Sequence, residues 1–143
     1  MVAHLPKTHR HGRMAAALVL TLVGVFSAAI AFAGVVLNTI DPDAVVTNTG
    51  RHIIVTGPLA CTASEKAALR VTVTQRATGA VAEGRTRLTC TGHTQHWEVE
   101  AASHGPEPFQ EGPATAVALV RTTTREESTD AHQWLVEITL KSK

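Results

Sequence analysis

Ala68-Leu69-Arg70-Val71-Thr72-Val73-Thr74-Gln75-Arg76 alternates without a break. Leu69, Val71 and Val73 fall on one side of it, and Arg70, Thr72, Thr74 and Arg76 on the other. Successive side chains point to opposite faces of a strand, whereas a helix groups them every third or fourth residue. The stretch is therefore a strand with one buried face. The same pattern extends outward. His132–Leu140 places Trp134, Val136, Ile138 and Leu140 on one face, and Gln95–Ala102 sets Trp97, Val99 and Ala101 against His96, Glu98 and Glu100. Asp43–Thr47, His52–Cys61, Ala80–Cys90 and Pro113–Thr123 complete the set. Gly57-Pro58 within the second strand marks an edge or a bend, because proline cannot donate to a ladder. About seven short strands in about 100 residues, with turn residues between them, predict an all-β antiparallel sandwich.

One register follows from a tight turn at Gly92-His93, with a glycine suited to a type II′ hairpin. It sets Leu88 against Trp97 on the inner face, and Arg87 against Glu98 and Arg85 against Glu100 on the outer one. Cross-strand pairing favours both kinds of match.

Before the strands comes a different kind of chain. Residues 1–13 carry Lys7, Arg10 and Arg13, and Met14–Leu37 then runs for 24 residues without a charge. A basic start, an apolar stretch and Ala31-Phe32-Ala33 form an export leader with an A-x-A cleavage site before Gly34. As a helix the apolar run would measure about 36 Å, so a retained membrane anchor is the alternative. The expected organisation is a leader or anchor over 1–33 forming an apolar helix, a linker over 34–42, and the β domain over 43–143. Either reading puts the β domain outside the cytoplasm, secreted or anchored.

The leader distorts the composition. The whole chain has 143 residues and a formal charge of +1. Residues 34–143 keep ten basic and twelve acidic residues, a formal charge of −2. Their only aromatic residues are Trp97, Phe109 and Trp134. Such a chain lacks the basic footprint of a nucleic-acid binder and the stacking aromatics of a glycan or single-strand binder. The two cysteines, Cys61 and Cys90, lie in the exported part, where a disulfide is the expected state.

Signals for catalysis are weak. No G-x-S-x-G nucleophile elbow occurs. Cys90-x-x-His93-x-x-His96 has metal-like spacing, but strand residues three apart face opposite ways and Cys90 is expected in the disulfide. Asp130 and His132 can share a face, with no nucleophile beside them. Phe109, in the loop from His104 to Gly112, reads as a lid over one end of the domain.

The strings Gly57-Pro58-Leu59-Ala60-Cys61, Leu69 to Arg76, Gly79 to Gly84, Cys90-Thr91-Gly92, Trp97-Glu98-Val99 and Thr129 to Trp134 resemble a family of uncharacterised small exported bacterial immunoglobulin-like domains. The likeness spans about residues 52–140. It implies an immunoglobulin-like sandwich and no activity. It also implies a second cysteine pair in the last two strands, at positions held here by Val117 and Leu135. With no tyrosine in the chain, the tyrosine corner of many such domains is missing.

The expected function is a non-catalytic binding or structural module at the cell envelope, monomeric, with no metal, cofactor or nucleic acid. Its partner would be a protein or another envelope component, and it would touch the membrane only through the N-terminal segment. The alternatives are a single-pass anchored accessory protein and a metal-binding or hydrolytic domain. Recognition is expected in polar loops, at Glu107, Phe109 and Glu111 and at Glu126, Glu127 and Asp130, because sandwich loops carry binding residues.

Overall fold

The seven expected strands form, with ends that differ from the expected ones by up to five residues, and one strand is added. The computed structural model describes residues 34–47, 49–125 and 127–143. The expected leader helix and Glu126 lie outside the described residues. The strands are β1 (Val35–Asn38), β2 (Asp43–Val46), β3 (His52–Cys61), β4 (Lys66–Gln75), β5 (Ala80–Thr89), β6 (Gln95–Ser103), β7 (Gly112–Thr124) and β8 (Glu127–Ser142).

They do not make an immunoglobulin-like sandwich. β3, β2, β8, β7, β4, β5 and β6 follow one another as hydrogen-bonded neighbours, and β6 pairs back onto β3. The result is a closed seven-stranded barrel. Two pairings decide this. β3 and β6 are antiparallel from His52↔Ala102 to Leu59↔Gln95. β2 and β8 are parallel, from Asp43↔Thr139 to Val46↔Ser142. A buried face alternates identically in a sandwich and in a barrel, so the pattern along each strand does not separate them. Closure removes the free sheet edges that a sandwich leaves.

Within the stretch expected as a linker, 34–42, Val35–Asn38 forms β1. β1 pairs with the second half of β3, Val35↔Cys61 and Asn38↔Leu59, and β2 with its first half, Val45↔Ile54. The chain breaks between β1 and β2 opposite Pro58. Pro58 offers no N–H there, but its carbonyl accepts the Thr39 N–H at 3.4 Å and the Trp97 indole N–H at 3.3 Å. The proline thus marks a break in the neighbouring strand rather than a sheet edge.

The expected hairpin is right near its base and wrong at its tip. Ala82↔Ser103 and Glu83↔Ala102 pair in the expected register, and Trp97 is buried. Past Glu83 the strands part. β5 stays on β4, as in Ala68↔Arg87, and β6 stays on β3. Gly84 sits at the parting, where a Cβ would lie 2.5 Å from the Glu100 carbonyl. The expected Arg85–Glu100 pair is replaced: Arg85 binds Glu83 at 2.9 Å and Glu100 lies 2.9 Å from His52 Nδ1.

Inside the barrel, large residues of β4 meet small ones of β7: Val71↔Ala118 and Val73↔Ala116, all buried. Size alternation of this kind fills a small barrel. Cys61 and Cys90 form a disulfide with 5.4 Å between Cα atoms, joining the end of β3 to the residue after β5. Gln75 is 1% exposed, and both its amide nitrogen and its amide oxygen are hydrogen-bonded. Its amide donates to the Gln110 carbonyl at 2.8 Å and its oxygen accepts the Gln110 N–H at 2.9 Å. This clamp fixes the 104–111 loop, and Phe109, 3% exposed, closes that end of the core.

Candidate functional site

The barrel exterior concentrates positive charge in one place. On β4, Lys66, Ala68 and Arg70 point outward. Ladder pairing sets Arg85 beside Arg70 and Arg87 beside Ala68 on β5. On β7 it sets Arg121 beside Ala68 and Leu119 beside Arg70. Ala68 therefore lies between two arginines, and its short side chain leaves a hollow. That hollow is a pocket of 560 Å³ lined by Ala68, Arg70, Arg85, Arg87, Leu119 and Arg121, among others. Neighbouring strands are about 4.8 Å apart, so the Arg87 and Arg121 backbones are separated by about 10 Å across β4. Arginine side chains are long enough to converge over Ala68 from both sides.

Among the described residues, the only acid in this face is Glu83. Arg70 and Arg85 stand directly opposite each other, an arrangement that repels. Glu83 bridges them, accepting from Arg70 through one oxygen and from Arg85 through the other at 2.9 Å. Those hydrogen bonds, that to Arg70 foremost, hold the Glu83 carboxyl below the usual carboxylate range. Arg87 and Arg121 have no ion-pair partner among the described residues. The face thus holds five cations, counting Lys66, against one acid, in a domain whose formal charge is −2.

The sequence-predicted residues are elsewhere. Glu107 is exposed. Phe109 is in the core, as a lid would be. Glu111 accepts the Ser142 N–H at 2.9 Å, and bonds with Ser142 lower its pKa. The segment expected as a loop at 126–130 is largely strand, since β8 begins at Glu127. Glu127 is exposed. Asp130 turns back onto β1: it accepts from the Val35 N–H at 3.1 Å and the Ala131 N–H at 2.8 Å, and meets His132 Nε2 at 2.9 Å. The Val35 bond leads the causes that lower its pKa. The two groups flank opposite ends of β7, whose 13 residues extend about 40 Å, so the fold does not bring them together.

Cys90 is in the disulfide and His93 sits on an exposed turn. Among the described residues, no group of three or more His, Cys, Asp or Glu side chains is placed to hold a metal ion. The arginine pocket went unseen in the sequence. Its only local trace is Arg85-Thr86-Arg87 on one strand, and nothing local announces that Arg121 joins them. No family model and no curated protein matches the chain.

Proposed function

We propose that the chain is an exported, non-catalytic module that binds an anionic group of an envelope component on the β4–β5–β7 face. The observation that carries this reading is the charge segregation, five cations and one acid gathered around a pocket on an otherwise acidic domain. Planar guanidinium groups suit phosphate and carboxylate oxygens, which they engage with paired hydrogen bonds. Arg87 and Arg121 supply the free donors, while Glu83 holds Arg70 and Arg85 as a fixed rim. The disulfide fits an oxidising compartment, and the export leader supports the same location.

The magnitude follows from exposure. A charged hydrogen bond at the lower end of its range contributes about 1.5 kcal/mol, and two arginines with partial help from the rim give millimolar affinity for a single phosphate. Inorganic phosphate titrated into the protein, with arginine side-chain N–H signals followed by NMR, should shift Arg87 and Arg121 first. Arg87→Ala or Arg121→Ala should each weaken binding about tenfold, and added salt should weaken it further. If the arginine signals stay unmoved through tens of millimolar phosphate at constant ionic strength, the proposal fails.

A further inference from the structure

Gly34, the first described residue, is buried and held at both backbone groups. Its N–H donates to Thr62 Oγ1 at 3.1 Å, and its carbonyl accepts the Thr62 N–H at 3.2 Å. Its φ is +131°, a region side chains rarely enter, and a Cβ there would lie 2.4 Å from Asp130 Oδ2. No residue but glycine fits. Immediately beyond, the Val35 N–H donates to the same Asp130 oxygen at 3.1 Å.

A separate observation falls on the same bond. Ala31-Phe32-Ala33 is the small-x-small pattern that an export peptidase cuts, and its scissile bond is Ala33–Gly34. The residue that the cleavage pattern makes the first of the mature chain is the residue whose surroundings tolerate only glycine.

We propose that the exported chain is cut after Ala33 and that the new Gly34 α-ammonium docks between Thr62 and the Asp130 carboxylate, fixing the start of β1. Water adds across the Ala33–Gly34 peptide bond. The leader leaves with a carboxylate on Ala33, and the Gly34 nitrogen, taking up a proton, becomes an ammonium. Before the cut, this nitrogen is a neutral amide with one hydrogen. After it, three hydrogens and a full charge stand beside an aspartate that already gathers two backbone N–H groups. Asp130 and His132, both of β8, are the titratable groups against it; His132 Nε2 lies 2.9 Å from the same Asp130 oxygen, Oδ2, that takes the Val35 N–H. The cut must precede docking, because the folded barrel buries Gly34.

The proposal rests on the reading of residues 1–33 as an export leader, and one experiment separates the two. The full chain is produced in an exporting bacterium, the cell is fractionated, and the intact mass of each fraction is measured. The expected product outside the cytoplasm runs from Gly34 to Lys143 with its disulfide closed. A chain that stays in the cytoplasm overturns the export reading and this proposal with it. A chain that is outside but uncut, or cut elsewhere, overturns this proposal alone. Docking is read by the rate at which an amine reagent labels the α-amino group just below its ordinary pKa of about 8. A counter-ion that raises this pKa by about one unit slows labelling about tenfold. Asp130→Asn should restore the fast rate. Gly34→Ala should do so as well, since it leaves Ala31 and Ala33 in place but drives a Cβ into Asp130. Labelling equally fast in the unsubstituted protein and in both variants overturns the docking.

Discussion

Replacing both Cys61 and Cys90 with alanine removes the one covalent link across the barrel. The disulfide spans 29 positions of sequence. Closing a loop of that size removes entropy from the unfolded chain worth roughly 3.5 kcal/mol in the chain-entropy model. A domain of this length has a total stability on the order of 5–15 kcal/mol, so the staple supplies a large share. The native state also loses two buried sulfur atoms from the core, which adds to this cost. Both cysteines are 2% exposed, but alanine keeps the backbone, and the bonds from Ser64 N–H to the Cys90 carbonyl and from Cys90 N–H to the Glu65 carbonyl need no side chain. The assay is urea unfolding followed by tryptophan fluorescence, with Trp97 buried as the reporter. With a urea slope of about 1.5 kcal/mol per molar, the midpoint should fall by about 2 M. The slope should rise slightly, because an unlinked unfolded chain exposes more surface. A drop below about 0.5 M would refute the reasoning. It would mean that the unfolded chain is already compact near this loop, or that strain in the bridge cancels its entropy.

The other predictions concern register and acid. Val117 and Leu135 are direct cross-strand partners of β7 and β8, so Val117→Cys with Leu135→Cys should close a second disulfide on oxidation, read as a two-hydrogen loss in intact mass; free thiols would show that the register has slipped. Glu83, Glu111 and Asp130 all have lowered pKa values. A group whose folded pKa is depressed adds stability above its unfolded pKa, and that stability is lost as pH falls through the folded value. The urea midpoint should therefore hold steady from about pH 6 to 5 and fall below about pH 4. Asp130→Asn should lower the plateau and flatten the acid limb; an unchanged limb would mean the Val35 contact does not favour the charged form.

The individual strands were legible because each carries its own evidence. Ala68–Arg76 reads as a strand from its own alternation, and Trp97, Leu69 and Val73 read as buried for the same reason. The Cys61–Cys90 bridge needed only two cysteines and an exported context. Glu83 shows where local reading stops. Its register partner Ala102 was expected, but its ion pairs to Arg70 and Arg85 depend on β4 lying beside β5.

From the sequence alone come the all-β class, the inward residues and the disulfide, because alternation, turn residues and cysteine count are local properties. Only the tertiary structure decided three further matters. It closed the sheet into a barrel, since the β3–β6 and parallel β2–β8 pairings join residues far apart in the chain whose patterns fit a sandwich equally well. It made β1 from an expected linker, because β3 offered an unpaired edge on either side of Pro58. And it set Arg87 and Arg121 on either side of Ala68, from three strands and 53 residues of chain. Composition averages charge over the whole molecule, whereas an anion meets the charges that folding gathers on one face.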